Sequence, residues 1–432
     1  MQRTEPAHER SAPAAASPQT ALVLTGGGAR AAYQAGVLRA IARLRRQSGI
    51  RLSASPFDIV VGSSAGAINC AALACHADDF DGAVSQLGQV WREFHADHVY
   101  RTDSIRVIES GAKWLSMLSL GWLIARWHRA RPRSLLNNDP LAQLLAETID
   151  LERLDRMLRE EFLHAVAVTA SSYSSGRHAI FYQSHRSIEP WRRSQRHAIR
   201  TRLTNEHLLA SAAIPFLFPA VPIPVENVPE YFGDGSMRQT APLSPAIHLG
   251  AHRILVIGSG RTNEPANGTL ISPHYPNLAQ IAGHALSSIF LDALTADIER
   301  IERLNDLLAA LPEETARRSG MRRIQVLAIT PSQRIDRIAA EHVQALPVTI
   351  RGLLRSVGVS SLAGDLRGAA FASYLLFEAS FTRALMELGE RDVMARQGEI
   401  AGFFGWGCRE REAGEGSVRA SELAGRVRQP SL

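Results

Sequence analysis

Val60-Val61-Gly62-Ser63-Ser64-Ala65-Gly66 is the stretch on which the reading of this chain turns. The apolar residues Ile59 to Val61 lead into it, and a run of small residues, Ala65 to Ala74, leads out. The first has the continuous apolar character of a strand buried on both faces, and the second reads as a closely packed helix. Between them lies Gly-x-Ser-x-Gly. A strand that turns sharply into a helix passes through a strained backbone, and glycine at both flanks (Gly62 and Gly66) lets it turn without Cβ clashes. The turn lifts the Ser64 Oγ off the sheet and aims the N-terminus of the next helix at it, where roughly half a positive charge stabilises an oxyanion. The pentapeptide alone is equally a tight connection with no chemistry.

Upstream, Ala21-Leu22-Val23-Leu24 reads as a short buried strand that runs into Thr25-Gly26-Gly27-Gly28-Ala29-Arg30. A helix follows from Ala31 to Arg46, with Tyr33, Val37, Leu38, Ile41 and Leu44 near helical spacing. Three glycines after a strand present N–H groups that no side chain covers, a loop suited to a phosphate or to the oxyanion of acyl transfer. Arg30 is read as a loop anchor or as an attractor of an anionic head group. The loop also fits a dinucleotide fingerprint, Gly26-x-Gly28-x-x-Ala31. That reading needs an acidic residue near the end of the second strand. Asp58 stands only at that strand's start, and the serine elbow closes it instead.

Further on, Tyr231-Phe232-Gly233-Asp234-Gly235-Ser236 places an aspartate between glycines after two aromatics. It reads as a strand end held in a tight turn, with Asp234 a candidate base for Ser64. Asp-Gly turns are common, so this feature alone carries little.

Together these segments resemble the patatin-like phospholipase family. The resemblance rests on Gly26-Gly27-Gly28-Ala29-Arg30, on Gly62-Ser63-Ser64-Ala65-Gly66 and on Asp234-Gly235. Leu208-Leu209-Ala210-Ser211-Ala212-Ala213-Ile214-Pro215, followed by Phe218-Pro219, reinforces it. The motifs stand in family order over about Ala21 to Gly258. The resemblance implies lipid acyl hydrolysis by a Ser64–Asp234 dyad without histidine. It also implies an oxyanion hole from Gly26, Gly27, Gly28 and Arg30, a lipid substrate, and no cofactor or metal. Two positions depart from the family's habit: Ala31, where glycine is frequent, and Ser236, where glycine or alanine is usual. A carboxylate with an ordinary pKa near 4 is a weak base toward a hydroxyl, so Asp234 must be partly desolvated and within hydrogen-bond reach. Tyr231 and Phe232 are candidates for the apolar wall, or simply core residues of the strand. Two alternatives stand beside the dyad. One is an α/β-hydrolase esterase whose Ser-Asp-His triad uses His248 or His252. The other is a catalytically silent lipid-binding protein on the same fold.

The expected fold class is α/β, a three-layer patatin-like core with a mainly parallel sheet and a helical C-terminal extension. The expected divisions are a disordered tail (1–20), a catalytic domain (21–260), the extension (261–405) and a second disordered tail (406–432). With 432 residues, 45% hydrophobic and 21% charged, the chain can bury a sizeable core. The net charge of +6 allows attraction to anionic lipid surfaces, and its basic residues are almost all arginine, with Lys113 the only lysine. No basic stretch is interleaved with stacking aromatics, so nucleic acid is not called for. Cys70, Cys75 and Cys408 are too few for a disulfide framework, and no metal-ligand spacing occurs. Residues 1–20 lack an apolar signal core, so the expected location is cytoplasmic, peripheral at a membrane. Trp114 to Trp127, shorter than a bilayer span and flanked by Lys113 and Arg126, suits an interfacial helix or a helix capping the site. Oligomeric state is not legible. Leu278 to Leu311 reads as one long helix with a single apolar stripe, and Ile324 to Ile329 as a strand.

Overall fold

A computed structural model describes residues 19–101, 134–260, 275–356, 358–359 and 368–406. Most of both expected tails and the whole of the 113–128 stretch lie outside the described residues. The strands are β1 Thr20–Leu24, β2 Ile59–Ser63, β3 Ala165–Ser172, β4 His178–Ser184, β5 Arg192–Arg193 and β6 Arg196–Arg200. They continue with β7 Val221–Val225, β8 Val228–Asp234, β9 Arg253–Ile257 and β10 Gln325–Ile329. The strands form one sheet in the order β10-β9-β1-β2-β3-β4-β6-β5, to which β8 adds by pairing with β3 and β7 by pairing with β8. From β10 to β3 all neighbours are parallel. β4 then reverses against β3, so the sheet is mixed but mostly parallel, as expected of the α/β class.

The central strands β1, β2 and β3 are buried at every position and mostly apolar, because both faces are covered. Successive side chains point to opposite faces. Leu22, Leu24, Val60 and Val166 join a large core with α1 Ala32–Gln47, α2 Ala65–Ala74 and α3 Phe80–Arg92. Ala21, Val23, Ile59 and Ala165 join a smaller core on the other face, under the helix Ser244–His248 and under Leu294 and Ile301. Further helices are α4 Asp139–Thr148, α5 Asn205–Ser211, α6 Leu278–Ser287, α7 Ala293–Ala310 and α8 Ala379–Ala395.

The C-terminal half is built into this core. β10 pairs with β9 along the sheet edge. α8 packs against α1 so tightly that a Cβ on Gly36 would collide with the Met386 backbone. The buried Tyr33 hydroxyl donates to Asp392 at 2.9 Å across the same contact.

Two elements differ from the sequence expectation. The long helix is interrupted: a π-helical turn, Ser288–Asp292, separates α6 from α7. It seats the Phe290 ring on Tyr374, centroids 5.1 Å apart. The 278–310 segment is long and apolar enough by composition to cross a membrane, yet Leu294 and Ile301 are buried against the sheet. The β7–β8 hairpin was not foreseen. Pro222, Pro224 and Pro229 suppress a strand signal, being confined to positions that need no ladder donor. The turn between the strands is Glu226-Asn227, both at positive φ (51° and 67°), the conformation that matches strand twist in a two-residue hairpin loop.

Candidate active site

Parallel strands carry their C-terminal ends to one edge, where a crevice forms. At that edge β1 delivers the glycine loop, β2 delivers Ser64, and β9 delivers Gly258-Ser259. Ser64 sits between β2 and α2 at φ 55°, ψ −134°, a conformation rare for a residue with a side chain. Several contacts hold it there. The Ser64 N–H donates to the Ser211 Oγ on α5 at 2.9 Å, and the Ser63 hydroxyl bonds Thr169 at 2.7 Å. A Cβ on Gly66 would run into the Leu24 and Thr25 carbonyls, so only glycine lets α2 start this close to β1. The Ser64 side chain does not cap α2.

Asp234 reaches the same place through the sheet register. Ser63, the last residue of β2, pairs with Thr169 of β3. One position further along β3, Ala170 pairs with Asp234, while its other side is already occupied by Ala179 of β4. β8 therefore enters the lane that β2 vacates and runs head-on toward Ser64. Asp234 is fully buried. Its Oδ1 accepts from the Ser236 N–H at 2.8 Å, and its own N–H donates to Ala213 at 2.9 Å. Burial pushes its carboxyl up from 3.8 to about 6, and the neighbouring Ser64 hydroxyl and the backbone and side chain of Ser236 pull it back in part. Neither Oδ2 nor the Ser236 Oγ makes a well-formed bond. The Ser64 and Ser236 hydroxyls thus approach the carboxyl as loose contacts.

The glycine loop is buried. Gly28, at φ 55°, is pressed on the Tyr374 carbonyl, where no Cβ fits. Among the described residues the N–H groups of Gly27 and Gly28 have no partner, whereas Ala29 donates to Tyr374 at 3.1 Å and Arg30 to Gly27 at 3.1 Å. The Ser259 hydroxyl fixes the loop by donating to the Gly26 carbonyl. The Arg30 side chain turns away from the crevice. Its Nε donates to the buried Ser373 hydroxyl at 2.7 Å, a second nitrogen to the Ala370 carbonyl at 3.1 Å, and the guanidinium lies 4.0 Å from the Tyr374 ring centre. These contacts are the kind that the anchor reading calls for.

The two histidines of the triad alternative lie elsewhere. His252 bonds through its backbone to Gln19, at the N-terminal start of β1, the opposite end of the sheet from Ser64. His248 is bound to the Ser244 carbonyl at 2.8 Å and stacked on Trp191, centroids 4.8 Å apart. A histidine that sequence reading did not single out touches the site's scaffold. His178 is buried beside the Gly235 backbone, and burial lowers its pKa to about 4. Ser211 lies in the quoted stretch Leu208 to Pro215, but neither its role nor that of Ser259 was read from the sequence. Each acts on backbone supplied by a distant segment, which no local pattern reveals. Among the described residues no group of acidic, histidine or cysteine side chains has metal-binding geometry. Cys70 is buried with its thiol pushed up by burial, and burial pushes Cys75 up to about 12, so both are packing residues.

The family model for Patatin-like phospholipase matches residues 22–247, more than half of the chain. Among curated proteins nothing matches. Among solved structures, VipD from Legionella pneumophila matches at 14% identity, covering 86% of this chain and 67% of that one, with a TM-score of 0.28. ExoU from the type III secretion system of Pseudomonas aeruginosa, solved with SpcU, matches at 14% identity over 86% and 70% of the two chains, with a TM-score of 0.25. Both are remote likenesses.

Proposed function

The chain belongs to the patatin-like phospholipase family, and on that premise we propose that it is a serine hydrolase of lipid acyl esters working through a Ser64–Asp234 dyad. The family is one of lipid-hydrolysing enzymes. The observation that carries the finer reading is the pairing of a strained serine elbow with a fully buried carboxyl whose pKa is raised to about 6. A base is most effective when its pKa lies near the working pH, because it is then both ionised and basic enough to take a proton.

In this reading Asp234 accepts the Ser64 Oγ proton as Oγ bonds to the ester carbonyl carbon. The carbonyl π electrons become an oxyanion, which the unpartnered N–H groups of Gly27 and Gly28 and the first turn of α2 stabilise. Collapse breaks the ester bond, and the leaving alkoxide takes the proton from Asp234. A water molecule then repeats the sequence on the acyl-serine: Asp234 takes its proton, the hydroxide adds, and Ser64 leaves with the proton as the fatty acid departs. Neither step calls for a cofactor or metal. Arg30 contributes by fixing the loop and not by contacting substrate. The remote placement of His248 and His252 supports the dyad over a triad, and the intact pair of reacting groups supports an enzyme over a silent lipid-binding protein. The test is incubation of the purified protein with mixed glycerophospholipid vesicles and analysis of the released fatty acids. Release that requires Ser64 supports the reading, and no release from any acyl ester contradicts it.

A further inference from the structure

We propose that the apolar cavity opening at Ser64 is the slot that receives the substrate's acyl chain, and that Ala72 sets how deep the chain enters. The proposal rests on the hydrolase reading above. The cavity holds about 80 Å³ of free space and begins at Ser64 and Gly28. Its floor is one face of α2: Ala65, Ile68 and Ala72 recur at helical spacing. From Ala65 to Ala72 the helix rises roughly 10 Å, and the cavity continues past its end to His76. One wall is α3, through Ala83, Leu87 and Val90, and the other is α4, through Leu141, Leu144 and Leu145. Phe218 and Phe377 complete the apolar lining.

The slot selects hydrocarbon because its lining is mostly apolar, and Asn69 and Thr148, two of its polar members, are already occupied. The Asn69 amide donates to Gln34 at 2.9 Å and accepts from the Trp91 indole at 2.9 Å. The Thr148 hydroxyl donates to the Leu144 carbonyl at 2.6 Å. Burial lowers the pKa of His76, which disfavours a charge on its ring. A charged head group entering here would lose its hydration to a mostly apolar lining, whereas an alkyl chain loses little. The run of lining residues along α2 from Ser64 to His76 suits an acyl chain whose carboxyl end lies at Ser64. Small side chains at Ala65, Ala72 and Ala83 leave the space open.

The test compares kcat/KM for p-nitrophenyl palmitate and p-nitrophenyl butyrate in the same detergent micelles, using the full chain. Ala72→Phe is expected to lower the palmitate-to-butyrate ratio at least ~10-fold, since single methylene-scale changes in an apolar pocket already give tenfold discrimination or more. If Ala72→Phe does not fold, Ala72→Val carries the same read-out, with a several-fold fall expected. A ratio within about twofold of wild type in a natively folded variant overturns the slot alone. Wild-type protein that cleaves neither ester overturns the hydrolase reading on which the slot rests.

Discussion

Asp234 enters the lane of the sheet that Ser64 leaves. β2 ends at Ser63, opposite Thr169, and β8 ends at Asp234, opposite the very next residue of β3, Ala170. Two residues far apart in the chain are thereby set against each other by backbone pairing, which is more rigid than any loop. The same burial that positions Asp234 also raises its pKa.

Activity should depend on one ionisation near pH 6. The base works only when deprotonated, so kcat/KM should rise with pH through about 6 and level off above it. Ser236→Ala removes a group that favours the ionised carboxyl, so its midpoint should move upward. A pH–rate profile between about pH 4 and 8 checks both. A wild-type midpoint near the ordinary carboxylate value contradicts the buried-base account.

Asp234→Asn should stabilise the fold while abolishing activity. The folded carboxyl titrates at about 6 against 3.8 when free, so the folded chain holds its proton more tightly than the unfolded chain. The contribution of Asp234 to stability is therefore complete below the unfolded value and is lost as pH rises through about 6. Ionising it in place costs about 3 kcal/mol at neutral pH. The amide avoids that cost and can still accept from the Ser236 N–H. Thermal unfolding should show a higher Tm for the variant at neutral pH and a difference that closes toward pH 4. A lower Tm at neutral pH would show that the charge is not a burden on the fold.

His248→Gln and His252→Gln should each retain most activity, because neither side chain reaches the edge that carries Ser64. Steady-state kinetics on a soluble ester decides this. A hundredfold loss at either position in a folded variant would restore the triad.

Gly27→Val should lose activity by roughly 10²- to 10³-fold, the scale of one lost oxyanion donor. A Cβ there would lie 2.5 Å from the Ser259 Oγ and 2.6 Å from its Cβ, and so would displace the residue that fixes the loop. Kinetics together with a thermal melt read the effect. Full turnover would reduce the loop to a hinge.

The elbow, the glycine loop and the Asp-Gly turn were legible because each depends on residue types with a local steric or chemical reason. The continuous burial of the central strands was legible for the same reason. What stayed hidden is what depends on distant partners. Ser211 and Ser259 are ordinary serines until α5 and β9 bring them to the backbone of Ser64 and Gly26. The π-helical turn at Ser288–Asp292 leaves the apolar stripe almost unbroken, so periodicity reads through it. The hairpin that delivers Asp234 is masked by its prolines, and only sheet pairing reveals it.

Fatty-acid release from mixed glycerophospholipid vesicles by wild type, Ser64→Ala and Asp234→Asn tests the central claim most directly. The account predicts release by wild type and a fall of about 10³-fold or more in both variants, with circular dichroism unchanged. A folded Ser64→Ala or Asp234→Asn variant that keeps its rate within about tenfold of wild type would contradict it.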